Sequence, residues 1–348
     1  MRKFGRLLCS GLKWLVLAAV AVEIVAFLVV SASNYLVYGK LREGTGFRYD
    51  PYALFLNVEG PRPTAHNPPA AAPGKIVWLL GGSTMRGATN HDDRTLPSYL
   101  AAFLNRPGHP PVTVLNFGEN SFNSLLETKY LQKLLLENRG PAPDLIIFYD
   151  GANDCAYFAQ HRTPSAHYGY RRVRALVESY YRSPFGLLKP LTAALYSSFT
   201  KELFDKIMQT AVPLNPDSEL LHDCAAAAVQ RYEHVRRLAG AYGAQFLLFW
   251  QPTLWVETAP VAPEVRKQEQ GLNILGDRFL SVRHNFTVTY EALARRLQGR
   301  PYFINFRNVL GRRTAPVYQP DGVHLLDRGR ELVAQDMARV LSERGPLK

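Results

Sequence analysis

Five short apolar runs recur along this 348-residue chain, Ile76–Leu80, Val112–Phe117, Leu145–Tyr149, Gln245–Trp250 and Tyr302–Phe306, with amphipathic stretches between them. Runs of five or six residues are too short for helices and lack a polar face, so they read as strands buried on both sides. Thr95–Leu104, Ser124–Glu137 and Ala225–Tyr242 carry helical spacing, and Arg328–Arg344 closes the chain in the same way. Such alternation predicts an α/β fold: a mostly parallel five-stranded sheet, doubly wound, with helices on both faces in a three-layer sandwich. A chain that is 47% hydrophobic and 20% charged is not disordered, and its composition excludes a collagen-like repeat.

Ahead of this pattern, Leu12 to Leu36 is an apolar run preceded by Arg2, Lys3 and Arg6. About 20 such residues cross a bilayer core, so the run reads as a transmembrane anchor. Glu23 interrupts it at a cost of roughly 3 kcal/mol, which the surrounding Leu, Ile, Val and Phe offset; it reads either as a contact to a partner helix or as a tolerated lone acid. A cleaved signal peptide with Val30-Ser31-Ala32 as its cleavage site is the rival, but the run is longer than a signal core. Arg2, Lys3, Arg6 and Lys13 outweigh Lys40 and Arg42, so the positive-inside rule leaves the N-terminus in the cytoplasm and the rest outside it. The expected organisation is an anchor over 1–38, a proline-rich tether over 39–74, and a domain over 75–348. That domain carries an insertion at about 156–222, where one crossover helix would suffice.

In a doubly wound sheet, ligands bind beyond the carboxyl ends of the strands. The residues there are Gly81-Gly82-Ser83-Thr84, Asn116-Phe117-Gly118, Asp150-Gly151-Ala152-Asn153-Asp154 and Asp321-Gly322-Val323-His324. Ser83 follows two glycines that permit a tight turn and stands at the start of a helix. A serine hydroxyl needs a base to become a nucleophile, and His324 can supply it. Asp321, three residues earlier, can fix the imidazole tautomer. The amides of Ser83 and Gly118 and the side chain of Asn153 are candidate donors to a tetrahedral oxyanion.

Taken together, the four segments resemble the four signature blocks of the SGNH (GDSL-like) hydrolase superfamily, membrane-anchored bacterial type, over roughly Lys75 to Leu341 apart from the insertion. The resemblance implies a flavodoxin-like sheet and an acyl-enzyme chemistry. It makes Ser83 the nucleophile, His324 the base and Asp321 the orienting acid, with Ser83, Gly118 and Asn153 as the oxyanion hole. Gly82 departs from the family pattern, where GDSL has Asp. Asp154 reads as structural, holding the loop beneath the nucleophile.

The glycine-rich turn lacks the lysine and spacing of a P-loop and is not G-x-G-x-x-G, which argues against a nucleotide. His91, His161, His167, His222 and His284 lack metal-ligand spacing, and neither a metal nor a cofactor is expected. Cys155 and Cys224 read either as a disulfide pair or as two buried thiols. In the insertion, Arg171, Arg172 and Tyr168 suit an acidic or acylated sugar, while Ser183–Gln209 also fits an amphipathic stretch lying on a bilayer.

The formal net charge of +12 first suggests an anionic partner. Five Lys and Arg against one Glu fall within residues 1–40, where they serve topology rather than nucleic acid. The expected function is an inner-membrane serine esterase with its catalytic domain in the periplasm, removing acyl groups, above all acetyl, from a cell-surface or exported glycan. The alternatives are an O-acyltransferase using the same site in envelope polysaccharide machinery, and a non-catalytic glycan-binding or assembly subunit.

Overall fold

The computed structural model describes residues 2–38, 46–69, 74–87, 89, 91–182, 189–208, 212–272, 280–311 and 313–347. In chain order these form α1 (Arg2–Tyr38), β1 (Phe47–Asp50), β2 (Leu54–Asn57), β3 (Lys75–Gly81), α2 (Ser83–Arg86), α3 (Leu96–Leu104), β4 (Val112–Asn116), α4 (Ser124–Glu137), β5 (Leu145–Asp150) and α5 (Ala152–His161). There follow α6 (Tyr170–Arg182), α7 (Lys189–Tyr196), α8 (Phe199–Met208), α9 (Glu219–Ala241), β6 (Gln245–Trp250), α10 (Pro263–Leu272), α11 (Leu280–Leu297), β7 (Phe303–Asn305) and α12 (Asp327–Arg344). They divide into two compact units, Met1–Glu43 with Gly169–Val212, and Gly44–Tyr168 with Pro213–Lys348.

The larger unit is built on a five-stranded parallel sheet in the order β4-β3-β5-β6-β7. This is the order of flavodoxin-like doubly wound folds, in which the chain winds one way from β3 and then reverses. All six residues of β5 are buried, as a central strand with helices on both faces requires. Alternate side chains serve opposite layers. Trp78, Leu80, Ile146, Phe148, Leu248 and Trp250 pack with Tyr130 and Leu131 of α4, Tyr232 and Val235 of α9, and Phe286 and Tyr290 of α11. Val77, Leu79, Ile147, Tyr149 and Phe249 face Leu96 and Leu100 of α3 and Val333 and Met337 of α12. Each fully buried side chain of this size contributes about 1.5–3 kcal/mol, which makes these two layers the unit's main source of stability.

The structure differs from the expected boundaries in two places. Residues 46–69 are not a tether: β1 and β2 form an antiparallel hairpin, and Ala53 and Leu56 are buried in the core. Asn67 exchanges hydrogen bonds with the backbone of Val114 at 2.8 and 2.9 Å, and Arg62 bridges to Asn116, so this segment covers the exposed edge of β4. The insertion is also shorter than 156–222, because α5 packs Cys155 and Phe158 into the core and α9 begins at Glu219. Only Gly169–Val212 separates as a unit. Of the expected tether, 39–45 and 70–73 lie outside the described residues, as do 183–188 and 209 of the expected amphipathic stretch.

In the smaller unit α1 packs against α8, with the rings of Phe27 and Phe199 edge to face at 4.9 Å. Glu23 accepts hydrogen bonds from the backbone N–H of Phe199 at 2.5 Å and of Thr200 at 3.0 Å, and from the Thr200 hydroxyl at 2.7 Å. Within α1, Ser10–Ser33 is long and apolar enough to cross a membrane.

Candidate active site

Three of the signature segments lie where the sheet reverses direction, as expected for strand ends at a switch point. β3 runs through Gly81 and Gly82 into α2, whose first residue is Ser83. A Cβ on Gly82 would stand 2.5 Å from Asn153 Nδ2 and 3.0 Å from the Phe122 carbonyl oxygen. At this turn a side chain at position 82 would crowd Asn153 and the Phe122 carbonyl.

Ser83 Oγ lies 2.7 Å from His324 Nε2, and His324 Nδ1 lies 2.5 Å from Asp321 Oδ2. Because a carboxylate only accepts, Nδ1 carries the ring hydrogen and Nε2 is bare to take the serine proton. Asp321 Oδ1 accepts from the backbone N–H of Val323 and His324, both at 2.9 Å. Burial opposes the Asp321 charge, yet His324 and the two amides outweigh it and hold the carboxyl below its usual range. The loop itself is fixed by Gln319 N–H donating to the His324 carbonyl at 2.8 Å and Leu254 N–H to that of Gly322 at 2.8 Å.

Asn153, in the first turn of α5, donates one amide hydrogen to the Phe122 carbonyl at 2.6 Å, which leaves its second hydrogen for another acceptor. Its neighbour Asp154 accepts from Ser124 N–H at 3.1 Å and Ser124 Oγ at 2.5 Å, lacing the loop to the start of α4. A cleft with ≈ 300 Å³ of space, open to solvent, is lined by Ser83, Phe122, Tyr149, Asn153, Gln251 and His324.

Gly118 stands differently. Its N–H donates to Asn116 Oδ1 at 3.0 Å, and a Cβ there would meet the backbone nitrogen of Arg86 at 2.4 Å. Here the glycine serves close packing, and its N–H is held by Asn116. The turn that borders the nucleophile is Ser121–Phe122, where Ser121 holds a left-handed φ of 63°.

Of the expected sugar-binding residues, one falls in the larger unit and two in the smaller. In the larger unit, Tyr168 packs against the rings of Phe47 and Phe55, 6.1 and 5.7 Å away. Arg171 and Arg172 lie on α6 in the smaller unit, where Arg172 pairs with Glu202 at 2.9 Å. Cys155 and Cys224 are free, buried thiols. Among the described residues no cluster of His, Cys, Asp or Glu is arranged to hold a metal ion. Sequence reasoning overlooked Gln251, which is the first residue after β6 and would have been found by inspecting that strand end too. Its side-chain oxygen lies 2.9 Å from Thr84 Oγ1.

No protein-family model and no curated protein matches the chain. Solved structures do. A carbohydrate acetylesterase from Sinorhizobium meliloti is 15% identical, with 77% of this chain and 99% of that one covered at a TM-score of 0.39. A member of the lipolytic protein G-D-S-L family from Veillonella parvula is 14% identical, over 77% and 98% of the two chains, with a TM-score of 0.40. An acetyl xylan esterase is 13% identical, over 76% and 99%, with a TM-score of 0.41.

Proposed function

We propose that the chain is a membrane-anchored serine esterase of the SGNH type that removes acyl groups, above all acetyl, from an envelope or exported glycan. The observation that carries the reading is the continuous relay from Ser83 Oγ through His324 to the buried carboxylate of Asp321. In this reading His324 Nε2 takes the Ser83 proton as Oγ attacks the ester carbonyl, and the imidazolium is stabilised by Asp321. The developing oxyanion is met by the Ser83 N–H and by the second amide hydrogen of Asn153. His324 then returns its proton to the leaving sugar hydroxyl, and water, activated by the same base, releases the acyl-enzyme.

Support for the anchor comes from α1, where Leu12, Trp14, Leu15, Val16 and Val25 are more than half exposed. A long apolar helix left uncovered suits lipid rather than a soluble core. Lys and Arg concentrated before the span support a cytoplasmic N-terminus, with the larger unit on the outer side. The acetyl group as the acyl is favoured by the small size of the cleft beside Ser83, ≈ 300 Å³ of space.

Labelling of the purified full-length protein in detergent with a fluorophosphonate tests the nucleophile. Wild type is expected to take up one equivalent and Ser83→Ala none. Labelling that survives in Ser83→Ala, or that is absent from the wild type, refutes the reading.

A further inference from the structure

Beneath the loop that carries Asn153, three buried carboxyl groups meet. Glu127 of α4, Asp150 at the end of β5 and Asp154 of α5 are exposed by only 1%, 4% and 7%. Two of them are well supplied with donors. Asp150 accepts from the Tyr232 hydroxyl at 2.9 Å, and Asp154 from Ser124, with Arg231 at 3.7 Å. Glu127 is not: among the described residues neither of its oxygens has a hydrogen-bond donor within reach. The polar group it faces is the Asp150 carboxyl, with Asp154 beyond it. An acceptor facing an acceptor in a dry interior is repulsive unless a proton lies between them. The remaining titratable neighbours do not relieve it. Tyr232 spends its hydroxyl on Asp150, Cys155 and Cys224 are neutral thiols raised by burial, and Arg231 bonds to Ser124 Oγ at 2.7 Å and the Pro164 carbonyl at 2.9 Å.

We propose that Glu127 keeps a proton that it shares with Asp150, and that this O–H···O bond holds the end of β5, and through it the Asn153 amide, in register with Ser83. Glu127 is thus a positioning residue. It sits one turn after Ser124, whose N–H and hydroxyl bind Asp154, and Asn153 itself donates to Phe122 just before α4. The start of α4 and the Gly151–Asp154 loop are therefore tied at three points, of which the shared proton is the deepest. Burial first, and then the charges of Asp150 and Asp154, push Glu127 well above the usual carboxyl range. Burial and Asp154 push Asp150 up as well. The catalytic consequence rests on the esterase reading above, whereas the proton does not.

The test compares full-length wild type, Glu127→Gln and Glu127→Leu in detergent. Infrared difference spectra at neutral pH are expected to show the stretch of a protonated carboxyl in wild type and to lose it in Glu127→Gln. The glutamine amide can still donate to Asp150, so the kcat of Glu127→Gln is expected to stay within about threefold of wild type. A leucine side chain cannot donate, and the kcat of Glu127→Leu is expected to fall about tenfold to a hundredfold with KM little changed. A carboxyl raised in the folded state loses stability as pH climbs from its unfolded value towards its folded one. The Tm of Glu127→Gln should therefore gain on wild type as pH climbs above the unfolded carboxyl value of about 4.3. The proposal is overturned if wild type lacks the infrared band, if the band survives in Glu127→Gln, if both proteins share one Tm–pH profile, or if Glu127→Leu turns over like wild type. If wild type hydrolyses no ester, the esterase reading fails, and the band and the Tm profile still decide the proton.

Discussion

Asp321 lies buried under the His324 imidazole, and its contribution can be separated from that of the serine it never touches. Asp321→Asn keeps the shape but offers an amide to Nδ1, so the ring turns to the wrong tautomer and Nε2 no longer accepts from Ser83. The kcat is expected to fall about 10³- to 10⁴-fold with KM little changed, measured on a model acetyl ester; a loss below tenfold would show that Asp321 does not orient the base. The same carboxyl is held below its usual range, so the stability it brings is complete above the unfolded value, about 3.9. That stability is lost as pH falls through the folded value, and acid unfolding of Asp321→Asn should lack this component. Ser83, Asn153, Asp321 and His324 were legible in the sequence because chemistry in a doubly wound sheet collects at strand ends. Gly118 was read as an oxyanion donor from its place at a strand end. That its N–H is taken by Asn116, two residues back, depends on the path of the loop after β4, which no residue pattern encodes.

At the level of elements, the five strands stood out because each is a short apolar run, three of them followed directly by glycine or aspartate, and their observed ends differ from the expected ones by no more than one residue. Among the elements that were not anticipated, α11 and the β1–β2 hairpin stayed hidden for opposite reasons. The α11 helix buries polar residues, Asn285 and Thr289, on its core side, where they serve Leu214 N–H and the Asn285 carbonyl, and this dilutes its apolar period. The β1–β2 hairpin is too short, and too rich in turn residues nearby, to be told from a tether. Glu23 was read either as a contact to a partner helix or as a tolerated lone acid, and the structure gives it a partner in the first two amides of α8. A carboxylate there meets unpaired N–H groups and the positive end of the helix. Glu23→Ala leaves those amides without an acceptor at a cost of about 1–2 kcal/mol. The expected result is faster proteolysis within 169–212 in detergent, with Glu23→Gln intermediate. Equal cleavage rates in all three proteins would remove Glu23 from the packing of α1 on α8.

For the molecule as a whole, the excess of basic residues acquires a position. Four of the cations in the first 40 residues, Arg2, Lys3, Arg6 and Lys13, precede or open the apolar stretch Ser10–Ser33, whereas Lys40 alone follows it there. Positively charged loops resist translocation, so under the anchor reading proposed above this bias favours an N-terminus kept inside and a larger unit delivered outside. Orientation matters to the proposed chemistry, because a glycan of the envelope is met only from the outer side. The larger unit has its own two-layer core on a single sheet and does not depend on a disulfide, since Cys155 and Cys224 are free. It is therefore expected to fold in either compartment, and charge rather than folding decides where it resides. A C-terminal fusion to a reporter that matures only outside the cytoplasm should be active with the wild-type sequence. Replacing Arg2, Lys3, Arg6 and Lys13 by neutral residues while adding four lysines after Tyr38 should invert the bias and silence the reporter at unchanged expression. Reporter activity that ignores both changes would show that the N-terminal charges do not set the topology, and with it the assignment of the outer side would fall.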